Sequence, residues 1–422
     1  MKSLRIVMFT TFYPPYSFGG DAVGVQRMAR ALVARGHDVT VVHDIDAFIS
    51  MGGKNGAAAA DDDGVRAIGL QSANNVLSNL LTHQLGRPIV HGKRIKEVLD
   101  DGEYDLIWYN NTSLVGGPGL LDMGDGLKIF EAHEHWLVCP THVLWRYNRE
   151  TCDAKKCWRC AASYKRPPQL WRYTGMLERR LDNIDLLIAK SEFSKGMHKS
   201  FGLRQEMTVL PYFLSDMAEA DMPEPATHPR PYFLFVGRLE KIKGLQDVFP
   251  AFDKYPEADL LILGDGDYTD GLKALAASND RIKFLGRKPL DELTAYYRGA
   301  LGLIVPSVCY ETFGIILIES FRLGTPVIAR RLGPFPEIVE KAQGGALFET
   351  EDELIAAMKS IQDDPDWRSR HGQAARLGFE THWREDRVLQ AYGAELAKAA
   401  HKRGDATLTK AFEGGAFENG AG

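Results

Sequence analysis

Long apolar runs, an amino-terminal signal peptide and a large net charge are all missing from this sequence of 422 residues. No apolar stretch reaches the ~20 residues that a helix needs to span a bilayer. The first residues run directly into a predicted strand at 4–9, so we expect no signal peptide and a cytoplasmic protein. The formal net charge of −5 argues against a nucleic-acid-binding protein. A hydrophobic content of 45% is ample for two cores.

Predicted strands and helices alternate in both halves of the chain, which is typical of two doubly wound α/β domains with parallel sheets. A segment with four prolines and several acidic residues separates the halves, as in a linker. We therefore expect an amino-terminal domain at 1–214, a linker at 215–231 and a carboxyl-terminal domain at 232–385.

Three further segments lie outside these predicted cores. A helix is expected at 386–400. Residues 401–422 contain few large apolar side chains, and we expect them to be disordered. The alanine- and aspartate-rich loop at 52–64 is predicted to be a mobile surface excursion.

Two carboxylates, Glu311 and Glu319, flank the start of a predicted helix. The apolar run at 300–305 predicts a buried strand, and a periodic apolar stripe predicts a helix that stops at Gly324. Free backbone N–H groups at a helix start attract phosphate, and glutamate accepts hydrogen bonds from sugar hydroxyls. The N–H groups in question belong to Phe313, Gly314 and Ile315. The segment therefore predicts a site for a phosphate and for hydroxyl groups.

A cluster of cations follows another predicted strand, at 233–236. The loop after it contains two glycines and three cations: Gly237, Arg238, Lys241, Lys243 and Gly244. Open α/β sheets bind ligands at such strand ends. There an Arg guanidinium can donate two parallel hydrogen bonds to a phosphate, and a Lys ammonium supplies a compact positive charge. A solvated basic loop is the less favoured interpretation.

A glycine pair, Gly19 and Gly20, ends the loop between the first strand and a helix predicted at 26–35. Glycine lets the backbone approach a ligand closely. The spacing is not Gly-x-Gly-x-x-Gly, which argues against a dinucleotide site. Two ordinary turn glycines are the alternative.

Taken in order, these motifs resemble the retaining GT-B glycosyltransferases of family 4, over about residues 4 to 385. The resemblance implies two Rossmann-like domains that face a central cleft, with the terminal helix returning to the first domain. It also implies transfer of a sugar from a nucleoside diphosphate-sugar, with retention and without a catalytic metal. The chain departs from the family pattern at 211–213 and at 333–337, so the donor is not carried over.

The resemblance also implies roles for the individual residues. Glu311 would hold the hydroxyls of the donor sugar, and Glu319 would hold the ribose. Arg238 and Lys243 would neutralise the diphosphate leaving group. The glycine pair would face the donor phosphates and the acceptor.

His133 ends a predicted strand at 128–132 and matches the family's active-site histidine, which contacts the donor sugar. The alternative interpretation is that His133 is a structural residue whose polar atoms are hydrogen-bonded within the fold. A metal site that also includes His135 is disfavoured, because alternate residues of a strand face opposite ways.

Four of the five cysteines lie close together in the sequence, with spacings of twelve, four and two residues: Cys139, Cys152, Cys157 and Cys160. Reducing conditions in the cytosol favour a metal over disulfides, and the last pair has the spacing of zinc ligands. We expect a structural zinc here; unliganded thiols, a disulfide and an iron–sulfur cluster are the alternatives.

The same insert, at about 139–172, interleaves cations with aromatic side chains. The cations are Lys155, Lys156, Arg159, Lys165, Arg166 and Arg172. Such a surface suits an anionic lipid bilayer or a lipid-diphosphate acceptor at the inner face of the cell membrane. The alternative is that these side chains only cover a small metal-binding segment.

These features favour a glycosyltransferase that uses a UDP- or GDP-type sugar donor and an acceptor with a hydroxyl group. A lipid-linked acceptor is one option. Polysaccharide, glycolipid or glycosylated-metabolite biosynthesis would be its setting. The alternatives are an epimerase or sugar-phosphate synthase on the same fold, and a non-catalytic nucleotide-sugar-binding scaffold. The set of Glu311, Glu319, Arg238 and Lys243 argues against the scaffold.

Overall fold

The computed structural model describes residues 3–54 and 62–418, and these fold around two parallel sheets. The strands of the first half are β1 (Arg5–Thr10), β2 (Asp38–Asp44), β3 (Arg66–Leu70), β4 (Leu106–Tyr109), β5 (Leu127–Ala132), β6 (Trp145–Arg146), β7 (Glu150–Thr151), β8 (Leu186–Ala189) and β9 (Thr208–Val209). Seven of them form one sheet in the order β3-β2-β1-β4-β5-β8-β9, and β6 pairs with β7 in a separate antiparallel hairpin.

The second sheet has six strands in the described part of the chain. They are β10 (Tyr232–Val236), β11 (Asp259–Leu263), β12 (Ile282–Gly286), β13 (Gly302–Val305), β14 (Val327–Arg330) and β15 (Gly345–Phe348). Their order is β12-β11-β10-β13-β14-β15, and each neighbouring pair is parallel. Strand order reverses at β10 here and at β1 in the first sheet, so both sheets are doubly wound. The predicted fold class is confirmed.

Helices connect the strands in both halves. Those of the first half are α1 (Gly20–Val33), α2 (Ile45–Ser50), α3 (Asn75–Leu85), α4 (Gly92–Gly102), α5 (Cys157–Ser163), α6 (Met176–Leu181) and α7 (Glu192–Ser200). Those of the second half are α8 (Phe249–Lys254), α9 (Thr269–Leu275), α10 (Leu290–Gly299), α11 (Ile315–Arg322), α12 (Phe335–Ala342), α13 (Glu351–Asp363) and α14 (Pro365–His382). The chain ends with α15 (Glu385–Arg403) and α16 (Ala406–Glu413).

The central strands of each sheet are buried on both faces, as expected for parallel sheets covered by helices, whereas the edge strands β3 and β12 are partly exposed. In β5 and β11 every residue is buried. One core cluster lies on each side of each sheet. Helix α2 begins directly after β2, and α1 follows β1 after the loop at 11–19, so both helices start on the carboxyl side of the first sheet.

The chain passes twice between the two sheets, and the two passages run side by side. The N–H of Leu214 donates to the carbonyl of Trp383, and the N–H of Glu385 donates to the carbonyl of Leu214, both at 3.0 Å. Residues 215–231, which the structure describes throughout, contain one short 3-10 turn and neither a strand nor an α-helix. After α14, the chain returns to the first sheet as α15.

The predicted disorder of 401–422 is wrong for 401–418. Helix α16 packs against α15, and Leu408, Phe412 and Phe417 are buried in the same core as β1. The Phe417 ring lies 6.4 Å from that of Trp108 on β4. These few large apolar residues suffice to hold the segment in place, because α15 already supplies an apolar surface for them to pack against. Residues 419–422 lie outside the described part of the chain.

Part of the loop predicted to be mobile, 55–61, also lies outside the described residues. Asp62, in the same loop, is buried rather than exposed. It accepts hydrogen bonds from Gln26 at 2.9 Å and from Arg30 at 2.7 Å, both on α1. These bonds fix the returning end of the loop to the first domain.

Within the residues that the structure describes, none of the helices combines the length and the apolar content that a bilayer crossing needs.

Candidate functional site

A cleft of about 710 Å³ lies where the carboxyl ends of the two sheets face each other. Ten of the predicted site residues line it: Gly19, Gly20, His133, Gly237, Arg238, Lys243, Glu311, Gly314, Ile315 and Glu319. Phe313 does not line it, because its side chain is buried in the core of the second domain. The predicted cysteines lie elsewhere.

Lys243 and Glu311 form an ion pair on the second-domain wall of the cleft. Lys243 follows β10, and Glu311 lies between β13 and α11, so the parallel neighbours β10 and β13 bring them together. The Lys243 Nζ atom donates to Glu311 Oε1 at 2.6 Å, and Ser307 Oγ donates to the same oxygen at 3.1 Å. Burial disfavours the ammonium, but the Glu311 carboxylate outweighs it and raises the pKa of Lys243. Lys243 is therefore a fixed cation at neutral pH.

Arg238 supplies a second cation in the same wall. Its guanidinium lies 2.7 Å from Glu240, and its side chain is about half exposed. Arg238 thus contacts a carboxylate of its own loop, and Lys243 contacts one of the neighbouring loop. An anionic ligand in the cleft would compete with those carboxylates for the cations.

The amino-terminal end of α11 points into the cleft. Gly314 precedes the helix with φ = 100°, in the left-handed region that favours glycine. A side chain there would meet the ring of Phe335, since an added Cβ would lie 2.7 Å from it. No side chain caps this end, so its backbone N–H groups are left for a ligand.

Glu319 lies one turn further along α11, where it has a hydrogen-bond partner in the second domain and a cation of the first domain nearby. The hydroxyl of Tyr297 donates to its carboxylate at 3.1 Å. Burial raises the pKa of Glu319, and the nearby guanidinium of Arg27 partly offsets this. Arg27 lies on α1 in the first domain and also lines the cleft.

His133 sits at the end of β5 between two hydrogen-bonding partners. Its Nε2 atom lies 2.9 Å from Asn110 Oδ1, and its Nδ1 atom lies 2.5 Å from the hydroxyl of Tyr212. Burial lowers the pKa of His133 to about 4, although Glu131 opposes the shift. The imidazole is therefore neutral at physiological pH.

The glycine loop brings a further carboxylate to the first-domain wall. Gly20 opens α1, and Asp21 follows it within the cleft lining. Burial raises the pKa of Asp21, as does the nearby Glu134. His133 favours its charged form. Four residues of this region were not predicted from the sequence: Asp21, Arg27, Asn110 and Tyr212.

Direct hydrogen bonds join the two domains beside the cleft. Thr312, next to Glu311, donates from Oγ1 to the carbonyl of His133 at 2.8 Å. Its own carbonyl accepts from Ser191 Oγ at 2.7 Å. The Glu337 carboxylate accepts from the first N–H groups of α7, at 3.1 and 3.2 Å. The loop of Glu311 is therefore held by residues of the first domain.

The cysteine-bearing insert lies outside the cleft. Cys139 and Cys160 are buried, and Cys152 and Cys157 are half-buried. The N–H of Tyr147 donates to Cys160 Sγ at 3.4 Å. Among the described residues, one group of three possible ligand atoms lies within 4.8 Å, at Asp44, Asp46 and His91, and it contains no cysteine. The zinc site remains a prediction.

Two family models match the chain one after the other. Residues 18–214 match the model described as Glycosyltransferase Family 4, and residues 217–378 match that described as Glycosyl transferases group 1.

The chain is also similar to curated proteins. It is 26% identical to the glycogen synthase of Mycobacterium tuberculosis (strain ATCC 25618 / H37Rv) over 427 residues, covering 95% of this chain and 96% of that one. It is 34% identical to the D-inositol 3-phosphate glycosyltransferase of Corynebacterium efficiens over 156 residues, which cover 33% of this chain and 37% of the relative.

Solved structures share the fold. The sucrose-phosphate synthase of Thermosynechococcus elongatus superposes with a TM-score of 0.71 at 19% identity, covering 94% of this chain and all of the other. The HepE protein of Anabaena in complex with UDP-glucose superposes with a TM-score of 0.67 at 17% identity and the same coverage. On a GT-B fold, the chain thus carries a Glycosyltransferase Family 4 domain followed by a Glycosyl transferases group 1 domain.

Proposed function

We propose that the protein transfers a sugar from a nucleoside diphosphate-sugar to the hydroxyl of an acceptor, with retention of configuration at the anomeric carbon. One observation carries this proposal: a single cleft gathers two cations, an uncapped helix end and two carboxylates on its second-domain wall. The family matches support transfer of a glycosyl group. The fold neighbours in complex with UDP and with UDP-glucose make UDP the first nucleotide to test.

The donor would lie along the second domain. Glu319 can accept hydrogen bonds from the two ribose hydroxyls. Arg238, Lys243 and the N–H groups at the start of α11 would hold the diphosphate. As the diphosphate binds to Lys243, the carboxylate of Glu311 is released to accept hydrogen bonds from the sugar.

Negative charge develops on the leaving diphosphate during the reaction. The bond between the anomeric carbon and the β-phosphate oxygen breaks, and its electron pair stays on that oxygen. The acceptor oxygen forms the new bond on the same face and passes its proton to the leaving phosphate. Cations that are already in position lower this barrier, since they need no reorganisation.

His133 would contact the sugar as a neutral imidazole. Its carbonyl holds Thr312, and its ring is fixed by Asn110 and Tyr212. A low pKa keeps the ring uncharged, so it adds no positive charge beside the anomeric carbon. A hydrogen bond from the ring to the sugar would replace the one to Tyr212 or the one to Asn110.

Thermal-shift measurements with UDP, GDP and ADP test the donor site. A ligand that binds only the native state at 100 times its Kd stabilises it by about 2.7 kcal/mol. We expect one nucleotide to raise the melting temperature selectively. The Glu319→Ala variant should lose this response, and the matched control Glu340→Ala, on the exposed side of α12, should keep it. Equal responses in both variants would contradict the assignment of Glu319.

Turnover of the stabilising donor, with and without candidate acceptors, then distinguishes the reactions. Transfer to an acceptor is expected. Conversion of the donor to another nucleotide-sugar in the absence of any acceptor would instead indicate an epimerase.

A further inference from the structure

Large exposed apolar side chains are concentrated on one part of the first domain. Of the fourteen in the described residues, six lie in 76–90 and three in 158–173. The six are Val76, Leu77, Leu80, Leu85, Ile89 and Val90, and the three are Trp158, Leu170 and Tyr173. Single exposed apolar residues are ordinary, but nine within two short segments require a specific explanation.

The two segments touch each other and form one surface. The Trp171 indole donates to the carbonyl of His83, near the end of α3, at 2.9 Å. Gly86, which ends α3 with φ = 63°, lies so close to Trp171 that an added Cβ would be 2.9 Å from the indole. We call residues 76–90 together with 158–173 the apolar face.

The surroundings of the apolar face are basic, although the whole chain has a net charge of −5. No Asp or Glu occurs between 64 and 96 or between 154 and 177. The exposed cations in these stretches include Arg87, Lys93, Arg94, Lys96, Lys155, Lys156, Arg159, Lys165 and Arg166. Among the described residues, the salt bridges of this group are those of Lys93 and Arg94 to Glu97. Most of these cations therefore remain available to an outside partner.

We propose that the apolar face docks on the surface of an anionic lipid bilayer. Leucine, isoleucine and tryptophan side chains enter the boundary between headgroups and acyl chains, while lysine and arginine contact the anionic headgroups. Tryptophan and tyrosine suit this boundary because each has an apolar body and a polar tip. A protein partner would find the apolar side chains equally suitable, but the excess of unpaired cations around them favours an anionic surface.

The apolar face lies next to the cleft, so docking on a bilayer would bring the cleft close to the membrane surface. Helix α2 packs against α3, and Asn79 of α3 donates to Ser50 of α2 at 2.8 Å. On the other side of α2, the rings of Phe48 and Phe18 stack with centroids 4.7 Å apart, and Phe18 lines the cleft. A lipid-linked acceptor could thus keep its tail in the bilayer while its head enters the cleft. This last step rests on the proposed function; the docking does not.

Co-sedimentation with vesicles tests the docking directly. The full chain is mixed with vesicles of phosphatidylcholine alone and with vesicles that also contain phosphatidylglycerol. We expect binding to the anionic vesicles, weakening as salt is added, and little binding to the neutral ones. The Leu77→Glu/Leu80→Glu variant should bind on the order of tenfold more weakly. The control Leu290→Glu/Leu377→Glu changes two leucines of the second domain that are even more exposed than Leu77 and Leu80, and it should bind as the native chain does.

A charge variant tests the other half of the proposal. Each cation near an anionic surface contributes roughly a factor of five to binding, so Lys165→Glu/Arg166→Glu should weaken binding by at least about 25-fold. Both residues are exposed, and an unchanged melting temperature verifies the fold.

Two results would overturn the docking. One is that the native chain does not bind anionic vesicles. This holds also if the chain self-associates through the apolar face and Leu77→Glu/Leu80→Glu abolishes the self-association. The other is an equal loss in the second-domain control. Because sedimentation reads binding and not turnover, a negative result here leaves the nucleotide response of the cleft as a separate test of the proposed function.

Discussion

Replacement of Lys243 by alanine should abolish most turnover while leaving the fold intact. The ammonium of Lys243 lies 2.6 Å from Glu311, and the amino-terminal end of α11 lies in the same wall of the cleft. In the proposed reaction it is already in position when charge appears on the leaving diphosphate. Removing one such preorganised group typically costs about a hundred- to a thousandfold in kcat.

The cost in stability should be small for structural reasons. Without Lys243, the Glu311 carboxylate keeps the hydrogen bond from Ser307 and remains about one-fifth exposed, so water can solvate it. A partly exposed ion pair contributes roughly 1 kcal/mol or less. We expect a melting temperature within about 3 °C of that of the native chain.

The assay is donor turnover at saturating donor and acceptor, with Lys241→Ala as the matched control. Lys241 belongs to the same loop, is exposed and does not line the cleft. Lys243→Arg restores a positive charge in a different geometry and should recover only part of the activity. Turnover of Lys243→Ala within about fivefold of native, or an equal loss in Lys241→Ala, would refute the assigned role.

Three further predictions concern charged and metal-binding groups. Because burial raises the pKa of Glu319, its carboxylate gains a proton as pH falls through this raised pKa, so UDP affinity should decrease as the pH is lowered through it; in titrations, Glu319→Gln should bind weakly and keep only the pH dependence of the UDP phosphate, and a pH dependence equal to that of the native chain would contradict the assignment. Lys190→Met should reduce the free energy of unfolding by about 3–5 kcal/mol in urea titrations, since it leaves the buried Glu131 without its cation, and adding Glu131→Gln should restore part of the loss. If the cysteines hold a structural zinc, the purified chain should contain about one equivalent by elemental analysis, and Cys157→Ser/Cys160→Ser should contain none; zinc-free native protein would contradict that prediction.

The fold and much of the cleft were predictable because their signals are local. Buried parallel strands are apolar along their length, and a strand, a loop and a helix follow one another in sequence at each ligand-binding edge. Glu311 and Lys243 lie 68 residues apart, yet each could be placed at the end of its own strand. Neighbouring strand ends of a doubly wound sheet then had to bring them together.

Residues that act across the two domains gave no such signal. In the sequence, nothing distinguishes Arg27 from any other arginine of an amphipathic helix. Only the position of the second domain brings Glu319 near it. Helix α16 likewise has a weakly apolar sequence, and its burial depends on the surface that α15 offers. Patterns within one segment do not reveal which face a distant segment will cover.

The contacts between the domains couple the loop of Glu311 to the first domain. Thr312 joins the Glu311 loop to the end of β5, and Glu337 contributes a negative charge to the positive end of α7. These bonds form only when the two domains face each other as they do here. Glu311 therefore reaches its position beside Lys243 in the same arrangement that brings His133 to the cleft. A domain opening that broke the Thr312 bonds would free the loop of Glu311, so in the proposed reaction both domains together would set the geometry of donor and acceptor.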